Sequence, residues 1–330
     1  ANINNFKLYE LQSMESNEGR ADIFVNSFIN GTNWKDEVTA IDRMAKLTKE
    51  DIVAFADKYL KEDNYAVVYK KQGKDPNEKK MTKPEITPIV SNRDVASPFL
   101  TSIQENAVKP IEPVFLDFKK DMSQLTAKSD IPVLYKQNTT NDLFQLIYVF
   151  DMGNNNDKAL GTAFDYLEYL GTSDMTPEEL KSEFYRLACT FYVSPGNERT
   201  YVVLSGLNEN MPAAMQLFEK LLADAQVNKE AYNNLVGDIL KARADAKLNQ
   251  GQNFSRLMNY AMYGPKSPAT NLLTEAELAS MNPQELVDRI HNQNNYKHRI
   301  LYYGPSSSKD QLATIDQYHQ VPATLKDIPA

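Results

Sequence analysis

At 330 residues the chain is longer than one hydrophobic core usually spans, so its length favours two or more domains. It carries 36 Lys and Arg against 44 Asp and Glu, a net charge of −8, and no basic stretch with interleaved aromatics, which argues against nucleic-acid binding. No apolar run approaches the length of a membrane span. The single cysteine, Cys189, excludes an intrachain disulfide, and its apolar neighbours favour a buried thiol over a nucleophile.

Residues 1–72 are predicted to be helices that end in one strand. The helix over 47–60 begins with Thr48 and Asp51, a pattern close to a capping box. The β-branched and aromatic residues of 65–71 predict a strand. Because nothing before this strand supplies partner strands, we expect residues 1–72 to be the C-terminal part of a domain that starts upstream.

Residues 73–113 change in composition. They are rich in proline and charge and show no sustained hydrophobic period, which is typical of an extended linker. A stretch of this length is too long for an ordinary loop inside a domain. We therefore expect a linker between two halves of a larger protein.

Residues 114–320 are predicted to form a complete domain, with 321–330 starting the next linker. The predicted strands cover 131–138, 142–153, 199–207 and 299–304, and the predicted helices begin near 160, 176, 211, 229 and 282. The strongest helix start is Thr176, with Pro177 at the first helical position and Glu179 at the third. Helices interleaved with strands predict an α+β or α/β sandwich with helices over a sheet.

The chain also resembles itself at a fixed offset. Residues 47–71 align without a gap on residues 281–305, an offset of 234 positions (281 − 47), and the cap, helix and strand pattern fall in the same order. The identities are few, so chance similarity of amphipathic segments is the alternative. Our interpretation is a duplicated domain, of which the chain holds the end of one copy and all of the next.

This repeated ending, a capped helix followed by a strand such as "AVVY" or "ILYY", is similar to the end of a domain in the M16 zinc peptidases, the pitrilysin and insulinase family. The run 161–207 resembles the first helix, glycine–threonine turn, second helix and strand of another M16 domain. The resemblance implies an α+β fold, a sandwich of a mixed β-sheet covered by helices. It also implies two halves around a peptide chamber, with this chain spanning the end of the second domain, the linker and the third domain.

The family binds zinc in its first domain, through an inverted His-x-x-Glu-His helix and a distant Glu. The two imidazoles lie on one helical face, and the Glu acts as the base toward zinc-bound water. Aligned on the glycine–threonine turn, the motif falls on Thr162, Asp165 and Tyr166, and the distant Glu falls near Asp238. The resemblance thus implies a degenerate zinc position, with no catalytic or metal-binding residue in this segment and zinc bound upstream.

No two of the three histidines, His291, His298 and His319, are four positions apart. We expect surface or structural roles for His291 and His298. The resemblance implies that the segment is an inactive part of a zinc metalloendopeptidase and contributes chamber wall and substrate binding. The alternative is an M16-fold structural or adaptor paralogue without peptidase activity, which an upstream His-x-x-Glu-His motif would exclude.

The expected partners are peptide substrates and the catalytic half of the same polypeptide, with no nucleic acid and no membrane span. Bacterial M16 proteins of this long type are often exported, so the expected location is the periplasm.

Overall fold

A computed structural model describes residues 1–63, 65–73, 81–88 and 95–329. They form two compact units, one made of Ala1–Lys46 together with Asp117–Ala330, the other of Leu47–Leu116. Within the described part of the chain, every helix is too short or too polar to cross a membrane.

The larger unit begins with four helices. These are α1 (Asn2–Ser13), α2 (Asn17–Asn30), α3 (Trp34–Val38) and α4 (Ala40–Met44). α1 joins the rest of this unit through Leu8, which packs with Leu143 and Leu207. The Asn5 side chain donates a hydrogen bond of 2.6 Å to the carbonyl oxygen of Tyr185.

The smaller unit contains α5 (Lys49–Tyr59) and α6 (Pro98–Gln104). α5 starts with the predicted capping box, since Thr48 and Asp51 exchange side chain to backbone hydrogen bonds. The strand predicted over 65–71 is wrong, because these residues are irregular. A strand needs a neighbour to satisfy its backbone groups, and the described part of this unit offers none. Of the predicted linker, 74–80 and 89–94 lie outside the described residues.

A six-stranded mixed sheet organises the larger unit. Its strands are β1 (Ser123–Ala127), β2 (Ile131–Gln137), β3 (Leu143–Phe150), β4 (Cys189–Pro195), β5 (Thr200–Leu207) and β6 (Arg299–Gly304). Their order is β1-β2-β6-β3-β5-β4, with β2 and β6 parallel and the other neighbours antiparallel. The four predicted strands of this domain are confirmed to within a few residues, whereas β1 and β4 were not predicted.

Eight further helices complete the unit. They are α7 (Leu160–Leu167), α8 (Pro177–Leu187), α9 (Met211–Asp224), α10 (Lys229–Lys247), α11 (Gln250–Tyr263), α12 (Glu275–Ser280), α13 (Pro283–Asn292) and α14 (Ser308–Tyr318). The helical stretch predicted from residue 229 is thus two helices, separated at Leu248 and Asn249. The mixed sheet with its helices confirms the predicted α+β sandwich.

The two faces of the sheet differ in burial. Alternate residues of β3, namely Phe144, Leu146, Tyr148 and Phe150, are buried in the main core, because side chains alternate across a strand. α7 and α9 pack against α13, and together they cover this face. The opposite face, which we call the open face, is covered at one end by α1 through Leu8 on Leu143 and Leu207. Val149 and Val203 on this face are also buried, and its exposed side chains are Lys136, Gln145, Tyr192, Tyr201 and Tyr303.

The unit boundaries do not coincide with the predicted domain boundaries. Residues 1–46 belong to the same compact unit as Asp117–Ala330, whereas the prediction placed residues 1–72 in a separate domain. The division of a longer parent protein into 1–72, 73–113, 114–320 and 321–330 stays a prediction.

Candidate functional site

Three of the residues matched to the zinc motif, Thr162, Asp165 and Tyr166, lie on α7, the helix that packs against both α13 and β4. Leu160, Phe164 and Leu167 recur at helical spacing and are buried, which explains why this segment is a helix. After the helix, Gly171 makes the predicted turn. A Cβ at Gly171 would lie 2.3 Å from the carbonyl oxygen of Met175, so the turn requires glycine.

The three matched side chains of α7 have different environments. Thr162 is half-buried, and the Asp165 carboxylate lies on the solvent side of the helix. Partial burial, with the negative charge of Glu168 adding to it, raises the pKa of Asp165 above its ordinary value. Tyr166 is fully buried. Its hydroxyl donates to the carbonyl oxygen of Asn228 at 2.6 Å and accepts from the Asn228 amide at 2.8 Å.

Asp238, the fourth matched residue, is exposed on α10, a helix that packs against α7. Among the described residues, Asp238 makes no hydrogen bond or ion pair with Thr162, Asp165 or Tyr166. These four side chains do not fit a zinc site, because neutral hydroxyls are poor zinc ligands and the Tyr166 hydroxyl is already engaged. Within the described part of the chain, no group of three or more His, Cys, Asp or Glu residues could hold a metal ion.

Beside α7, strand β4 forms an outer edge of the sheet. The amide of Leu207 bonds to the carbonyl of Ala188, and the amide of Gly196 bonds to the carbonyl of Arg199. Since hydrogen-bonded pairs alternate in an antiparallel ladder, Thr190, Tyr192 and Ser194 direct their backbone groups toward β5. Phe191 and Val193 therefore direct their backbone N–H and C=O groups outward, as an unpaired strand edge.

An apolar groove of about 310 Å³ runs next to this edge. α7 contributes Leu167, α8 contributes Leu180 and Phe184, and β4 contributes Phe191. Lys181 and Glu168 place one positive and one negative charge at its rim. The groove and the strand edge together offer backbone hydrogen bonds and an apolar pocket at the same place.

Cys189 lies at the floor of the groove and is buried. Burial raises the pKa of its thiol to about 12. The thiolate is the nucleophilic form of cysteine, so this thiol is unreactive near neutral pH. The prediction of a buried cysteine is confirmed.

A second polar feature, a buried cluster, was not predicted from the sequence. Glu219, His298 and His319 are each less than 8% exposed. His319 Nδ1 lies 2.7 Å from Glu219 Oε1, and the Nε2 atoms of His319 and His298 lie 2.8 Å apart. His298 is thus buried and does not lie on the surface; a structural role for it stays a prediction. His291 bonds through Nε2 to the carbonyl of Ala225, outside this cluster.

Comparison with known proteins finds no matching family model and no matching curated protein. Solved structures do match. The inactive domain of an M16 peptidase from Pseudomonas fluorescens has 16% identity and a TM-score of 0.55, over 64% of this chain and 54% of that chain. The periplasmic protease PqqL from Escherichia coli has 14% identity and a TM-score of 0.55, over 99% of this chain and 39% of that chain.

The ferredoxin protease FusC, solved in complex with Arabidopsis ferredoxin, has 11% identity and a TM-score of 0.53. That match covers 96% of this chain and 38% of that chain. The chain thus spans between about a third and somewhat more than half of these relatives' lengths. At such identities a likeness shows the fold. The chain therefore has the α+β fold of the M16 peptidases and of their inactive domain, as the sequence resemblance predicted.

Proposed function

We propose that this chain is a non-catalytic part of an M16-type zinc endopeptidase and that it holds extended peptide substrates along its sheet. The observation that carries the proposal is the open face of the sheet, which ends at the unpaired edge of β4. This surface offers groups that can bind a peptide. The α7 residues matched to the zinc motif do not fit a zinc site, so we assign no catalysis to this chain.

The exposed side chains of the open face suit contact with a peptide. The strand register places Leu301, Ile147, Val203 and Tyr192 in one row across four neighbouring strands. Tyr192 is 52% exposed and Tyr303, on the adjacent row, is 41% exposed. Tyrosines combine a large apolar ring with a hydrogen-bonding hydroxyl, which suits contact with peptides of varied sequence.

The edge of β4 supplies a second mode of contact. An extended peptide can add to an unpaired strand edge through main-chain hydrogen bonds, while a neighbouring pocket accepts a side chain. The outward groups of Phe191 and Val193 and the adjacent groove provide both elements. Holding a substrate in one orientation contributes to catalysis without any group of the wall entering the reaction.

We also propose that this chain is part of a longer parent protein. The fold match to PqqL extends over 99% of this chain but 39% of that protease, which supports a longer parent. Zinc would be bound by another domain of that parent, and the catalytic half would be the partner of this segment. The likeness to a periplasmic protease supports an exported protein.

The test uses the 330-residue chain and fluorescein-labelled, unstructured peptides of neutral and of basic composition. Val193→Pro removes an outward N–H without removing a bond to β5, since proline is tolerated where the N–H of an edge strand faces away from the sheet. Val193→Thr keeps that N–H and the branched shape and is the matched control.

We expect the unaltered chain and Val193→Thr to raise the fluorescence anisotropy of the peptides with the same affinity. Val193→Pro should weaken binding about fivefold, since one main-chain hydrogen bond of about 1 kcal/mol is lost. Mass spectrometry of the recovered peptides should find them intact. Equal binding by both variants, or no binding by the unaltered chain, would contradict the proposal.

A further inference from the structure

The hydrogen bonds that join Glu219, His319 and His298 have one consistent direction. His298 Nδ1 lies 2.7 Å from the carbonyl oxygen of Tyr296, so this nitrogen must donate. The other nitrogen of a neutral His298 then accepts, and His319 Nε2 donates to it. His319 Nδ1 faces Glu219 Oε1, so the pair shares one further proton. The arrangement is a continuous hydrogen-bonded chain from Glu219 through His319 to a neutral His298.

His319 is also the first residue of the segment 319–329, which follows α14 and which we call the C-terminal strap. The strap is attached to the domain by hydrogen bonds at several points. Three of these bonds are donated by backbone amides: Gln320 to the Glu219 carboxylate, Lys326 to the Asn295 carbonyl and Lys297 to the Lys326 carbonyl. Two are donated by side chains: the Ser129 hydroxyl to the Pro322 carbonyl and the Asn156 amide to the Pro329 carbonyl. The strap lines two cavities, of about 260 Å³ beside Glu219 and about 500 Å³ beside His298.

All four ring nitrogens of His298 and His319 already take part in hydrogen bonds, so a second proton can bind only if one of these bonds breaks. Protonated at Nε2, His298 would direct an N–H at the N–H of His319 across 2.8 Å, where neither nitrogen can accept. Neither ring can turn away freely, since His298 Nδ1 is held by Tyr296 and the His319 ring lies 4.3 Å from that of Tyr148. Movement of the strap, which carries His319, relieves the conflict.

Most charged groups around the cluster are already paired. Tyr148 from β3 and Glu219 from α9 face His319, and both are already bonded within the cluster. The groups that line the cavity beside His298 are Asp130, Asp151, Lys297 and Arg299, and His291 lines the cavity beside Glu219. Asp151 is paired with Arg199 and Arg299, which leaves Asp130 as the carboxylate on that side without an ion pair among the described residues.

We propose that Glu219, His319 and His298 form an acid-sensitive latch that keeps the C-terminal strap closed at neutral pH and releases it on acidification. Opening the strap separates the two imidazoles. The latch is a property of the domain itself and does not depend on the proposed peptide-binding function.

The direction of the pH effect follows from the environment of His298. Burial, and then the charge of His319, lowers the pKa of its ring from 6.5 to about 4 while the strap is closed. The open state regains the ordinary value and binds the proton first, so closure is favoured above pH 6.5 and is lost progressively toward pH 4. Between pH 7.5 and 4.5 the open fraction should rise about 70-fold.

Hydrogen exchange of the 330-residue chain, read by mass spectrometry and corrected for the intrinsic pH dependence of exchange, tests the latch. The amides of Gln320 and Lys326 report the strap, since both donate hydrogen bonds in the closed state. The amides of β3 report the sheet. We expect protection of the strap to fall about 70-fold between pH 7.5 and 4.5, while β3 stays protected.

Two variants remove the titrating nitrogen. His298→Asn keeps a donor for Tyr296, and His298→Gln keeps an acceptor for His319; each should abolish most of the pH response of the strap. His291→Gln, outside the cluster, should respond like the unaltered chain. An unchanged pH response in the His298 variants would overturn the proposal, as would loss of protection in strap and β3 together.

If a His298 variant does not fold, an NMR titration of the unaltered chain tests the same proposal. In an NMR titration, the strap amides should shift with the midpoint at which the His298 ring gains its proton. Strap shifts with a midpoint unrelated to His298 would overturn the latch.

Discussion

Glu219 is a buried carboxylate whose two oxygens accept hydrogen bonds from three separate parts of the fold. Oε1 accepts from the hydroxyl of Tyr148 at 2.8 Å and faces His319 at 2.7 Å. Oε2 accepts from the side chain of Asn294 at 3.0 Å and the amide of Gln320 at 3.1 Å. Burial, and then the negative charge of Glu219, raises the pKa of Tyr148 well above its ordinary value, so the phenol stays a donor.

Substitution of Glu219 should therefore destabilise the domain strongly. Glu219→Gln keeps the shape but removes the charge beside His319 and directs an NH₂ group at groups that already donate. Leaving a buried hydrogen-bonding group without its partner costs about 1–3 kcal/mol for each group, and we expect a loss of at least about 2 kcal/mol in urea unfolding. Glu198→Gln, an exposed position, should stay within about 0.5 kcal/mol. A loss at Glu219 below about 1 kcal/mol would show that the cluster does not stabilise the fold.

At the scale of residues, the sequence predicts local features and misses distant ones. The positions of Thr162 and Tyr166 on one helix follow from spacing and from the glycine that ends it. Glu219 and His319 lie 100 positions apart, and nothing near either residue signals that they meet. Whether these residues meet depends on how α9, β6 and α14 pack in three dimensions, and hydrophobic periodicity carries no information on that packing.

Among the helices, α8 combines a strong local signal with a role at the candidate site. Its capping box is complete, with Thr176 accepting from the Glu179 amide and Glu179 accepting from the Thr176 amide. The first turns of α8 also supply Pro177 and Leu180 to the groove beside β4. The cap thus fixes one wall of the proposed peptide-binding groove.

Thr176→Ala removes the side-chain acceptor of this cap and should cost about 1 kcal/mol of unfolding free energy. Ser182→Ala, an exposed position in the middle of the same helix, should be neutral or slightly stabilising, since alanine is the better helix former. Urea unfolding of both variants at pH 7 compares them. If Thr176→Ala is as stable as Ser182→Ala, the cap does not contribute as we infer.

The strands show where element prediction succeeds and where it fails. β2, β3, β5 and β6 are apolar and β-branched and were predicted. β4 was missed because its apolar start, around Cys189, continues directly from α8, with a left-handed residue, Ala188, as the sole break. Residues 65–71 have the composition of a strand but no partner, and composition alone cannot supply one.

The whole chain divides into two compact units, with Leu47–Leu116 separate from the rest. Residues 105–116 are irregular and exposed, and Ile111 and Val114 are 96% and 93% exposed. Proteases cut where the backbone is exposed and free of a hydrogen-bonded ladder. This segment is therefore the expected site of first cleavage, inside or next to the predicted linker.

Limited digestion with thermolysin, which cuts before apolar residues, should first produce a fragment that begins between Val108 and Phe118. That fragment should resist further cleavage, because its strands and core helices are buried. N-terminal sequencing and intact-mass measurement identify the cut. First cleavage within residues 140–250 would contradict the assignment of the sheet and its helices to one stable body.

The central claim is that this chain binds substrate for a reaction performed elsewhere in a longer protein. The most direct test expresses the parent's remaining domains with and without residues 1–330 and measures cleavage of short unstructured peptides. We predict that activity needs both parts, and that Val193→Pro in the complete protein raises KM with zinc content unchanged while Val193→Thr does not. Remaining domains that are fully active alone, with unchanged KM and size selectivity, would contradict the account.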